Sequence, residues 1–214
     1  MTPFVDWEAD DMLANGGTGS PGATPPPGGG AWSVTTDPAC EPVTLQEVKD
    51  FAEIDATRHD AAIENIFIPA AREGAENYMG RSLITRTITY NIDAWPSSGR
   101  LVLPAPPMLD VASINTLDAD GDATLWADTN YYLDTTSEPG VIVAKTTTPT
   151  TERSHRGIII VYTAGYEALP SAVPAAIRTA LLAWTADIFE SKIAFAEPPA
   201  RALKALAPYR ILRI

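Results

Sequence analysis

The sequence predicts an α+β fold: a small helical bundle with an inserted antiparallel β-domain, an extended N-terminal arm and a C-terminal tail. Three observations lead there. Apolar residues recur at helical spacing from Leu45 to Tyr78. They switch to alternate positions from Leu83, and they return to helical spacing after Pro174.

Residues 14–30, ANGGTGSPGATPPPGGG, carry too few apolar side chains to build a core, so residues 1–41 are expected to form an extended Gly/Pro-rich arm. Ahead of that stretch, Phe4, Val5, Trp7, Met12 and Leu13 make a short apolar-acidic patch. A helical pair is expected over 42–82. Thr44 followed by Glu47 has the spacing of a capping box, and Leu45, Val48, Phe51 and Ala52 share one face of a first helix ending near Asp55. The second helix starts around Asp60, places Ile63, Phe67, Ala70, Gly74 and Tyr78 on one stripe, and stops at Gly80.

Residues 83–166 are expected to form the β-insertion. Leu83–Ile92 alternates and is rich in β-branched residues. Leu101–Leu103, Val111–Leu117, Ala123–Trp126, Tyr131–Leu133, Val141–Ala144 and Gly157–Tyr162 are further short strands separated by turn residues. A C-terminal bundle helix lies in 167–197, with Pro174 at its first position and Ile177, Leu181, Trp184 and Ile188 on one face. The tail, 198–214, holds two short helical turns over Ala200–Leu206, stopped by Pro208.

The 27 acidic and 15 basic side chains give a net charge of −12. That balance argues against wrapping by nucleic acid, which needs clustered Lys and Arg. The charge is uneven: residues 1–42 carry −6, residues 43–197 carry −10, and residues 198–214 carry +4. One cysteine, Cys40, excludes an internal disulfide framework and a multi-cysteine zinc site, and two histidines leave little for a histidine-based metal centre. No apolar run has the length of a membrane span and no secretory signal opens the chain, so a soluble protein of the reducing cytoplasm is expected.

Each candidate for chemistry has a plainer explanation. Asp118-Ala119-Asp120-Gly121-Asp122 starts like a calcium loop, but its glycine is at position four and position twelve is Thr129, so a hairpin turn fits better. No G-x-S-x-G elbow or phosphate loop is present. His155 beside Ser154 is a sequence neighbour rather than a dyad, and His59 is expected on the surface. Asp187 and Glu190 read as a solvated helix face. No catalytic residue, cofactor or metal is called for.

Several segments in order carry a resemblance. They are Pro42-Val43-Thr44-Leu45-Gln46-Glu47-Val48-Lys49; Ala70-Ala71-Arg72 through Glu76 to Gly80-Arg81-Ser82-Leu83-Ile84; Leu101-Val102-Leu103-Pro104, Pro107, Val111, Ser113-Ile114 and Asp120-Gly121; and Tyr132, Val161-Tyr162, Ala164-Gly165-Tyr166 and Val173-Pro174-Ala175-Ala176-Ile177. Together, over roughly residues 42–192, they resemble the head–tail connector (adaptor) proteins of long-tailed bacteriophages and gene transfer agents. The resemblance implies a structural protein of the virion, at the head–tail interface and assembled in the host cytoplasm. Such adaptors form a homo-oligomeric ring, usually a dodecamer, beneath the portal protein. They extend the DNA channel, through which DNA passes without sequence-specific binding, and give a platform for a tail-completion or stopper protein. No membrane is involved.

The resemblance also implies that the C-terminal segment docks on the portal. Here that points to Leu206, Pro208, Tyr209, Arg210, Ile211, Leu212, Arg213 and Ile214. By its pattern alone, this segment could add as a strand to a partner sheet, fill a groove between subunits, or pack on its own bundle. An acidic body suits a channel along which DNA slides, although ordinary surface carboxylates give the same count. A second reading, from Trp95, Trp126, Tyr131 and Tyr132, is a ligand- or carbohydrate-binding β-module with helical flanks. Those aromatics fit better as the core and rim of a β-domain.

Overall fold

A computed structural model describes residues 30–192 and 198–211. Helix α1 (Leu45–Phe51) begins on the expected capping box. The Thr44 hydroxyl accepts from the Glu47 N–H at 3.2 Å, and the Glu47 carboxylate accepts from the Thr44 N–H at 2.8 Å. The same carboxylate meets Arg178, tying α1 to the helix that returns after the insertion.

The second helix has three parts: α2 (Asp60–Ala62), a π-helical turn (Ile63–Phe67) and α3 (Ile68–Met79), ended by Gly80 at φ +69°. Pro69 lacks an N–H, and in an uninterrupted α-helix its ring would meet the Asn65 carbonyl. The wider turn relieves this and inserts one extra residue into the spacing. Ile63 is therefore continued by Ile68, Ala71, Ala75 and Met79. The expected stripe of Phe67, Ala70, Gly74 and Tyr78 lies one position aside and is only half-buried.

Strands β1 (Ala31–Thr36), β2 (Arg86–Ile92), β4 (Met108–Leu117), β5 (Ala123–Leu125) and β8 (Ile158–Ala164) form one antiparallel sheet in the order β1-β2-β8-β4-β5. Strands β3 (Arg100–Val102), β6 (Tyr131–Asp134) and β7 (Val141–Ala144) form a second, in the order β3-β7-β6. Ile88, Tyr90 and Ile92 stand opposite Tyr162, Ile160 and Ile158, all buried. They join Leu101, Tyr131 and Ile142 from the smaller sheet in one β-core.

The expectation that residues 31–41 continue the arm needs correcting at its start, since Ala31–Thr36 is an edge strand of the larger sheet. Trp32 rests on the β-core, and the β1 backbone pairs residue by residue with β2 from Ala31↔Asn91 to Val34↔Ile88. The backbone ladder, rather than a run of apolar residues, recruits this segment.

Helix α4 (Ala175–Ser191) buries Ile177, Leu181, Trp184 and Ile188 as expected, with Pro174 at the N-cap rather than the first helical position. It packs on α1, α3 and α5 (Ala200–Leu206). Gly74 lets α3 approach α4, because a Cβ there would sit 2.5 Å from the Trp184 ring. These helices enclose a separate core that includes Val48, Ile63, Met79, Leu83, Leu181 and Leu206. The fold is thus α+β with two cores and one junction. Among the described residues no helix is long and apolar enough to cross a membrane.

Candidate assembly surfaces

Five of the eight residues expected to dock lie within the described chain, and they fold back on the helical body. Leu206 is fully buried in the helical core and Tyr209 packs against it half-buried, while Pro208 and Arg210 are exposed. After α5 a 3₁₀ turn (Ala207–Tyr209) redirects the backbone. The Ile211 N–H then donates to the Met79 carbonyl at 2.9 Å, satisfying one of the open carbonyls at the end of α3. The Arg210 guanidinium lies 5.2 Å above the Tyr78 ring. Leu212, Arg213 and Ile214 lie outside the described residues. Apolar-basic alternation could not separate core-facing from exposed positions, because a helical turn rather than a strand begins the segment.

Where the two cores meet, charges are buried. Glu76, 8% exposed, accepts from Arg72 at 3.0 Å, from the Leu83 N–H at 2.8 Å and from Arg86. Arg72 also donates to Glu41 at 2.8 Å. The set joins α3, the first strand of the insertion and the segment ahead of α1. Burial pushes the Glu41 carboxyl above its ordinary range, with Arg72 opposing. Burial works the other way on Arg72, but Glu76 and Glu41 outweigh it and hold the guanidinium above its ordinary value. A charge pair sunk this deep is costly to break from one side.

The residues considered for chemistry are dispersed. The Asp118 carboxylate accepts from the N–H groups of Asp120, Gly121 and Asp122 at 3.0, 2.9 and 2.8 Å, so it closes the β4–β5 turn. Gly121, at φ +97°, supplies the backbone that this turn requires. No group of metal-ligating side chains occurs among the described residues. His155 is exposed, with Asp93 at 3.2 Å. His59 is half-buried rather than exposed, because Phe189 of α4 meets its ring edge-on at 5.4 Å. The Cys40 thiol donates to the Ala168 carbonyl at 3.2 Å. Asp187 stands 4.0 Å from Arg201 of α5.

The four aromatics divide. Trp95 and Tyr131 are buried in the β-core, joined by Trp126, whose ring centroid is 5.2 Å from each. Tyr132 is 63% exposed, with the Lys145 ammonium 4.6 Å above its ring. Its cross-strand neighbour is Val143, paired in turn with Arg100. This row across β3, β7 and β6 escaped sequence reasoning, since no single strand carries it. Phe51, Ile66, Leu125 and Leu169 are further exposed apolar side chains. The chain therefore offers surfaces for association, with no clustered nucleophile, base and acid among its described residues.

The fold has close counterparts among solved structures. A chain in the neck of an empty gene transfer agent particle, computed with C6 symmetry, superposes with a TM-score of 0.74 at 23% identity, covering 86% of this chain and 97% of that one. A chain from the virion of a native gene transfer agent particle gives 0.72 at 21% identity, covering 86% and 96%. A chain in the neck of a native particle computed with C12 symmetry gives 0.68 at 24%, covering 85% and 97%. No curated protein sequence matches the chain. Residues 41–187, which run from Glu41 of the buried charge set to Asp187 near the end of α4, match the head completion protein family, and the chain belongs to that family.

Proposed function

We propose that this chain is a structural, non-catalytic adaptor of the virion neck. In this reading it forms a ring beneath the portal, twelve-fold as in a neck computed with C12 symmetry. It extends the DNA channel and gives the tail-completion protein its platform. The family match over residues 41–187 carries the reading. The exposed apolar side chains on separate elements, and a body held by two cores, support it physically: a ring subunit needs a rigid frame with more than one sticky face.

The basic C-terminal segment is the portal contact in this proposal, with the exposed Pro208 and Arg210 as part of the docking face. The net charge of −12 keeps the channel from holding the phosphate backbone. Negative-stain imaging and light scattering with and without portal test the assembly. Rings, or capture on portal, are the expected result. A stable monomer that ignores portal and binds glycans would replace this reading with the β-module, for which Tyr132 is the exposed aromatic.

A further inference from the structure

We propose that Arg81 is a positioning residue: it sets where the C-terminal segment leaves the helical body and couples that exit to the β-insertion. The inference rests on the tail being the portal contact. Arg81 directly follows Gly80, whose left-handed backbone turns the chain out of α3. Its side chain is only 8% exposed and reaches two parts of the molecule that lie far apart in sequence. Its Nε donates to the Tyr209 carbonyl at 2.5 Å, and its Nη2 forms an ion pair with the Glu138 carboxylate at 2.6 Å.

Glu138 lies between β6 and β7 in the smaller sheet, and Tyr209 lies in the turn after α5. One planar fork thus joins insertion and tail. Tyr166, just after β8, lies against the same guanidinium. Burial raises its hydroxyl above the ordinary value, and Arg81 opposes that rise. The next two residues fasten the tail to α3 itself, by Arg210 over Tyr78 and by the Ile211 N–H on Met79.

The geometry is specific to arginine. A lysine offers one compact charge and cannot hold a carbonyl on one edge of a planar group while pairing a carboxylate from another nitrogen. The contact to Tyr209 is made to the backbone, so it fixes where the chain passes without engaging a tail side chain.

The test uses the full-length chain with Arg81→Lys, Arg81→Ala and Glu138→Gln, followed by hydrogen exchange and by co-purification with portal. Both Arg81 variants should speed exchange at the Ile211 amide about tenfold while α4 amides keep their protection. Glu138→Gln should speed it less and loosen the β6–β7 connection first. Portal retention should fall in the same order. Unchanged exchange at Ile211 in Arg81→Lys and Arg81→Ala, with α4 still protected, overturns the inference. If Arg81→Ala does not fold, the lysine and Glu138 variants decide by the same readout. Faster exchange at Ile211 with undiminished portal retention upholds the clasp and sinks the portal-docking reading instead.

Discussion

The β-insertion closes on itself, whereas the helical body closes only through the insertion. Strands β2 and β8 are its first and last strands, and they pair from Arg86↔Ala164 to Ile92↔Ile158, so the chain leaves the sheet beside the point where it came in. That pairing returns α4 to α3. The β-core is lined by aliphatic and aromatic side chains. The helical core instead borders a buried ionic set at its edge, where Glu76 holds Arg72, Arg86 and the Leu83 N–H. Apolar contacts suffice within a ladder whose register is already fixed by backbone pairs. Joining two cores needs directional partners, and charges with hydrogen bonds supply them.

The sharpest way to break this contrast is at Glu76. Glu76→Ala leaves two guanidinium groups without their shared acceptor and should cost about 3–5 kcal/mol. Urea unfolding followed by far-UV circular dichroism measures it. A loss below about 1 kcal/mol would show that the junction is not a critical joint. Gly74→Ala tests the helical core alone. The added methyl drives into the buried Trp184 ring and should cost about 1–3 kcal/mol, with altered tryptophan fluorescence. An unchanged spectrum and midpoint would mean that α3 and α4 can separate freely.

The smallest effect lies at the α1 cap. Thr44→Ala removes the hydroxyl that accepts from Glu47 and should cost about 1 kcal/mol. The pH response there follows from Glu47, whose carboxyl is held below its ordinary range by the Thr44 backbone N–H first, with burial opposing and Arg178 assisting. A lowered carboxylate pKa means that its stabilisation is complete above the ordinary range and is lost as pH falls through the lowered value. Glu47→Gln should therefore flatten the acid side of the stability curve, from the ordinary carboxylate range downward. Glu41 contributes with the opposite sign: its carboxyl is raised, so its contribution weakens as pH rises through the raised value. A slope unchanged in Glu47→Gln would assign the acid response elsewhere.

The sequence displayed whatever depends on local periodicity. The Thr44–Glu47 box, the α4 face of Ile177, Leu181, Trp184 and Ile188, the Gly80 stop and the Asp118–Asp122 turn are each encoded within a few residues. The stripe on α3 was misplaced by one position, because Pro69 adds a π turn that no period of 3.6 anticipates. Strand β1 was hidden because its partner, β2, lies some fifty residues away. Of the assembly surface, the tail's composition was legible. The burial of Leu206, the Arg81 contacts and the Arg100–Val143–Tyr132 row needed three-dimensional neighbours from other strands and loops.

Strand β1 also decides how the molecule carries a mechanical load. Residues 1–29 lead directly into Gly30 and the first paired residue, Ala31, so a pull on that end reaches the sheet through β1. Ladder hydrogen bonds run across the strands, and a tug along β1 shears the Ala31–Val34 pairs together. A tug across the sheet opens them one at a time. The same edge is strong in one direction and weak in the other, so the direction of the pull, and not its size alone, decides whether β1 stays in the sheet.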